Sequence, residues 1–228
     1  GWDIYSVTNP GGLSKKEVPL TNYFLNKDQD ESLTDLRWHK TKRTKSKDEE
    51  DFSQYIFERQ KREESFSKLY HSRLKLIETF KPDKGNLLDL GCGAGFFVKN
   101  ALDRGWKGHG LEMLPEYVKY AQENLGLHQV HQGSLDNSLP FQPETFDVVT
   151  MWDLIEHLRH PLACLEKINR ATKPGGLLVI WTPNVKNSIF VKEQWLSYGI
   201  KQHIYFFSRN SLEQLLQKTG FKIDYIKT

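Results

Sequence analysis

From Asn86 onward the chain alternates between two hydrophobic periods, and that alternation limits the folds open to it. "NLLDL" (86–90) and "FDVVTMW" (146–152) are nearly continuous apolar runs of strand length. "PEYVKYAQENL" (115–125) and "PLACLEKINRA" (161–171) instead place apolar residues three and four apart, as one face of a helix does. "GHGLEM" (108–113), "QVHQG" (129–133), "KPGGLLVIWTPN" (173–184) and "FKIDYI" (221–226) read as further strands. Strands apolar throughout and separated by helices have both faces covered. The expected class is therefore α/β: a doubly wound, mostly parallel sheet of six or seven strands with helices on both faces.

Helix boundaries follow from punctuation. Phe66, Leu69, Tyr70, Leu74, Ile77 and Phe80 give residues 52–80 a helical period, and Pro82 stops it. A helix should run from Gly95 to about Arg104, with Gly105 past its end. Pro115 sits in the first turn of the next helix and Gly126 beyond its end. Another starts near Pro161, and Ser208 can cap a last one that ends at Gly220.

A chain of 228 residues suits one domain plus an extension. Residues 1–51 are expected to be an irregular N-terminal extension, because "TNPGG" is turn chemistry and "KTKRTKSKDEED" (40–51) is a basic run followed by an acidic one. Trp2, Tyr5, Tyr23 and Phe24 could fold this arm over a site. Residues 52–228 would form the catalytic domain. A net charge of +3 is too mild to argue for nucleic acid. Two cysteines, Cys92 and Cys164, make neither a disulfide framework nor a zinc site. There is no apolar run long enough for a membrane span and no visible leader, so a cytoplasmic setting is expected.

The chemistry concentrates at "LLDLGCGAGFF" (87–97), where a strand turns into a helix through Gly91, Gly93 and Gly95. Glycines admit a ligand that a Cβ would block, and the following helix offers free N–H groups. A dinucleotide would call for G-x-G-x-x-G and would be repelled by Asp89. S-adenosylmethionine carries an ammonium and a sulfonium and no phosphate, so an acid beside the turn suits it. Glu112, 23 residues after Asp89 at the end of the second strand, can accept both ribose hydroxyls.

Taken in order, these segments resemble the class I S-adenosylmethionine-dependent methyltransferases. "LLDLGCGAGFF" resembles the first motif of that family, "GLEM" the second, "GSLDNSLPF" the adenine-side loop, and "FDVVTMWDLIEHLRHP" the fourth-strand motif. "HIYFFSRNSLEQLLQKTGF" is similar to the tail of the branch that holds ubiquinone-biosynthesis-like O-methyltransferases. The resemblance covers about residues 52–226 and implies a Rossmann-like methyltransferase sheet. It implies cofactor contacts from Asp89, Gly91, Cys92, Gly93, Gly95, Phe96, Glu112, Met113, Gly133, Ser134, Leu135, Trp152 and Asp153. S-adenosylhomocysteine would be the product. The family usually closes its sheet with a seventh, antiparallel strand, whereas this chain offers about six.

Asp153, Glu156 and His157 lie at i, i+3 and i+4 after the fourth strand, so on a helical turn they would share a face. With His203, they are the expected catalytic set, since a hydroxyl acceptor must lose a proton to a base or a metal. A divalent metal is possible there but not the expectation, and metal ligands are left unassigned. Metal-dependent methyltransferases of small-RNA ends have a similar E-x-x-E-H pattern with a distant histidine; here the first acid is Asp153. Residues 184–207, with Trp195, Tyr198 and Tyr205, are expected to cover the acceptor pocket. Arg59 and Arg62 are expected to be solvated. The expected activity is O-methylation of a small-molecule hydroxyl. The alternatives are a metal-assisted RNA methyltransferase and a cofactor-fold binding module without catalysis.

Overall fold

The computed structural model describes residues 2–9, 45–137, 139–184 and 203–227. Its centre is a seven-stranded sheet. In chain order the elements are β1 (Trp2–Thr8), α1 (Lys45–Lys61), α2 (Glu63–Phe80), β2 (Asn86–Leu90), α3 (Phe96–Asp103), β3 (Lys107–Glu112), α4 (Pro115–Leu125) and β4 (Val130–Gln132). Then come β5 (Phe146–Trp152), a short 3₁₀ turn (Ile155–His157), α5 (Pro161–Ala171), β6 (Thr172–Pro183), α6 (Arg209–Lys218) and β7 (Lys222–Lys227). The strand order is β4-β3-β2-β5-β6-β1-β7.

The five strands β4, β3, β2, β5 and β6 pair in parallel, as the alternation requires. Successive residues of a strand face opposite sides. Leu88, Leu90, Val149, Met151, Leu178 and Ile180 therefore share one core with Leu165 and Ile168 of α5 and Leu212 and Leu216 of α6. Leu87, Val148, Leu177 and Val179 face the other way, against Tyr70, Leu74 and Ile77 of α2 and Phe97 and Ala101 of α3.

Two expectations are corrected. Residues 1–51 are not irregular throughout. Trp2–Thr8 is a strand paired antiparallel with both β6 and β7, so the N-terminus supplies an antiparallel strand between them. Asn9 fastens it. Its side-chain amide donates to the carbonyls of Asn169 and Thr172 at 3.0 and 2.8 Å, and its N–H to that of Gly176 at 3.0 Å. The helical stretch expected at 52–80 is two helices, α1 reaching back to Lys45 and α2 beginning after a break at Arg62.

The remaining punctuation acts as expected. Gly95 precedes α3 with φ +80 and Gly126 ends α4 with φ +68, conformations a Cβ would strain. Ser208 caps α6 in a reciprocal pair with Ser211. Most of the segment expected as a cover, Trp195 and Tyr198 included, lies outside the described residues.

Candidate active site

The parallel strands end together, and the turns after β2, β3, β4 and β5 form the site. After β2 the chain folds through Gly91, Gly93 and Gly95, all at positive φ. A Cβ on Gly93 would stand 3.0 Å from the Tyr55 hydroxyl, so α1 approaches the turn from above. Glu112 grips the turn from the neighbouring strand: its carboxylate accepts the N–H groups of Gly93, Met113 and Leu114 at 2.9, 2.8 and 2.9 Å. The Gly133 N–H donates to the Glu112 carbonyl at 2.8 Å, which brings the loop after β4 alongside.

The expected cofactor residues divide. Met113 is exposed, and Gly91 and Ser134 are open to solvent at the strand ends. Cys92 and Leu135 turn their side chains into the core, so what they can offer a ligand is backbone. Phe96 packs toward Tyr120 with ring centroids 6.0 Å apart. Asp89 is buried beneath the turn and accepts the Thr150 hydroxyl at 2.7 Å; burial pushes its carboxyl up to about 7.

Arg73 belongs to the site, though the sequence reading passed it over. Its guanidinium lies over Trp152 at 4.1 Å and 5.1 Å from Trp181, with Nε buried and unpartnered among the described residues. Trp152 Nε1 is also buried without a partner among them. The signal was available: Arg73 interrupts the apolar stripe Tyr70, Leu74, Ile77 of α2, where a cation needs a reason. Arg59, expected to be solvated, is half-buried and stacks over Phe66 at 3.8 Å, while Arg62 is exposed. Asp153 holds φ +54 just after β5, a left-handed backbone tolerated by aspartate. It is open to solvent on one side, yet the protein around its carboxyl raises it to about 6 against the pull of Arg73 and Arg59.

Beyond β5 the 3₁₀ turn carries Glu156 and His157. The Glu156 carbonyl accepts the N–H groups of Ile204 and Tyr205 at 2.8 and 3.0 Å, and the Tyr205 hydroxyl donates to the Arg159 carbonyl at 3.0 Å. These bonds bring His203 to His157, with ring centroids 4.7 Å apart. Donor atoms of Glu156, His157 and His203 all lie within 4.8 Å of one another. Asp153, expected to share their face, is not in this group, because the residues after it form a 3₁₀ turn instead of continuing an α-helix. Glu156 Oε2 accepts the Thr182 hydroxyl at 3.0 Å, while Oε1 is buried with no partner among the described residues, as is His203 Nδ1. Burial raises the Glu156 carboxyl to about 8 and lowers the His203 imidazole to about 4, the latter helped by His157.

Residues 58–226 match the methyltransferase domain family, which is most of the chain. The chain is a member of that family. A ubiquinone biosynthesis O-methyltransferase of Cereibacter sphaeroides is 29% identical over 145 residues, 59% of this chain and 59% of the relative. The chain therefore spans about three fifths of the length of that curated relative. A solved S-adenosylmethionine-dependent methyltransferase from Aquifex aeolicus aligns at TM-score 0.52 and 26% identity, covering 66% of this chain and 80% of that one. Another, from Archaeoglobus fulgidus, aligns at TM-score 0.57 and 19% identity over 68% and 69% of the two chains; it bears on the fold alone. The family's cofactor, S-adenosylmethionine, fits the cradle. Asp153 suits its cationic groups, Glu112 its ribose hydroxyls, and Arg73, whose Nε has no partner among the described residues, its carboxylate. No helix among the described residues is long and apolar enough to cross a membrane.

Proposed function

We propose that this methyltransferase moves the methyl group of S-adenosylmethionine to a hydroxyl oxygen of a small-molecule acceptor, with Glu156, His157 and His203 holding a divalent cation beside that oxygen. The observation that carries the proposal is the convergence of three donor side chains, two of whose buried atoms, Glu156 Oε1 and His203 Nδ1, have no partner among the described residues. An unsatisfied buried polar group costs about 1–3 kcal/mol, so proteins seldom keep two together without a use for them. One cation satisfies both.

Bound there, a divalent cation lowers the pKa of a ligated hydroxyl and fixes its position. Two imidazoles and one carboxylate suit manganese, iron or zinc better than magnesium, which prefers oxygen. His203 suits a ligand better than a lone base. A general base works best with a pKa near the operating pH, and His203 at about 4 is too weak. The bound cofactor supplies an electrophilic methyl on a cationic sulfur. Glu112 would hold the ribose hydroxyls, Arg73 the carboxylate, and Met113, Ser134 and Leu135 would border the base. The glycines of the β2–α3 turn let the backbone come close. The name of the curated relative supports oxygen as the accepting atom.

The test is transfer of a labelled methyl group to a panel of phenols, catechols, other hydroxylated small molecules and RNA, before and after chelation. Label should appear on a small-molecule oxygen, fall at least about tenfold on chelation and return with manganese. Label on RNA would support the alternative acceptor. Cofactor binding without transfer to any member of the panel would favour a binding module. Turnover indifferent to chelation would remove the cation.

A further inference from the structure

Strand β6 is apolar from Leu177 to Ile180, yet near its end it places a threonine, Thr182, that is 1% exposed. A buried hydroxyl costs free energy unless it is bonded. This one donates to Glu156 Oε2 at 3.0 Å. Its position is fixed from both sides. One residue before it, the Trp181 carbonyl accepts the Asp153 N–H at 2.9 Å, which ties β6 to the segment entering the 3₁₀ turn. Two residues after it, Asn184 bridges to Phe207, which ties β6 to the segment that carries His203. The threonine therefore stands on a strand anchored to both parts of the Glu156, His157 and His203 cluster.

A carboxylate can give an ion one oxygen or two. The last torsion of a glutamate is soft, so the side chain itself does not choose between them. Here the choice comes from β6. The Thr182 hydroxyl turns Oε2 toward the strand, and Oε1 is the oxygen left without a partner among the described residues. An ion in the cluster then meets one atom each from Glu156, His157 and His203. Manganese takes about six ligands, so these leave about three positions for other oxygens. A second oxygen from Glu156 would close one of them.

We infer that Thr182 is a positioning residue that holds Glu156 to one coordinating oxygen and so keeps a place on the ion open for the acceptor. This role rests on the proposed function, in which the cation binds beside the acceptor oxygen. Valine suits a buried strand position as well as threonine does, but it has no hydrogen to donate. In Thr182→Val the carboxylate is free to rotate and to offer the ion both oxygens.

Water-proton relaxation of the full chain saturated with manganese tests this, because relaxivity per bound ion follows the number of exchanging waters on it. Wild type should show about three such waters. Thr182→Val should lose one, lowering the relaxivity per bound ion by about a third, and Thr182→Ser, which restores the donor, should match wild type. Thr182→Ala removes the same donor and carries the test if the valine variant does not fold. A merely structural threonine would lower the thermal midpoint and leave the relaxivity per bound ion unchanged. That result would overturn the role of Thr182 while leaving the cation in place. Wild-type protein that binds no manganese would overturn both.

Discussion

Asp89 is a buried acid whose charge the fold tolerates poorly. Its only hydrogen-bond donor among the described side chains is the Thr150 hydroxyl, and burial carries its carboxyl from 3.8 to about 7. The folded chain therefore holds this proton more tightly than the unfolded chain does. Between those two values unfolding releases the proton, so the contribution of Asp89 to stability is greatest below about pH 4, falls as pH rises and levels off above about 7. Asp89→Asn keeps the Thr150 bond and removes the titration. Denaturant midpoints should show the variant gaining about 2–3 kcal/mol on wild type between pH 5 and pH 8, from a shift worth about 1.4 kcal/mol per unit. Parallel pH profiles for the two proteins would refute this. The sequence made Asp89 readable as a residue of the cradle but not as a buried one, since position before a glycine turn does not say which face of the sheet a side chain takes.

Among the elements, β1 is the one that local reading could not find. "WDIYSVT" has no clean period, and its partners lie about 170 residues away in β6, so its pairing is a tertiary fact. The strands β2 to β6 were legible because each is an apolar run set between punctuated helices. Asn9 shows how the late addition is held: it saturates the carbonyls of Asn169 and Thr172 at the α5–β6 junction, and the Gly175 N–H donates to its carbonyl at 2.6 Å. Asn9→Ala leaves two buried carbonyls without that donor and should cost about 2–4 kcal/mol, read as a lowered thermal midpoint. A loss under about 0.5 kcal/mol would mean that β1 contributes little to the sheet. The break at Arg62 escaped notice for a related reason: the period of α2 continues past it, and nothing local signals the stop.

At the scale of the whole molecule, the sheet gathers at one edge residues spread from Tyr55 to His203. The cofactor side was largely legible, because a glycine turn, a second-strand acid and a loop after a short strand follow each other in fixed order. The cluster after β5 was half legible. Glu156 and His157 are adjacent and easily paired by eye, but His203 reaches them only because the Glu156 carbonyl captures the N–H groups of Ile204 and Tyr205. Backbone bonds of that kind leave no trace in side-chain identity. Arg73 was legible only as a cation set into the apolar stripe of α2, and Asp153 stands apart because its backbone turns left-handed before the 3₁₀ turn begins. The central claim is that Glu156, His157 and His203 bind a cation, and titration of the full chain with manganese, followed by electron paramagnetic resonance, tests it most directly. One manganese ion per chain should bind to wild type, and binding should weaken at least about 100-fold in Glu156→Gln and in His203→Ala. Binding of equal strength in all three proteins, or none in wild type, would contradict it.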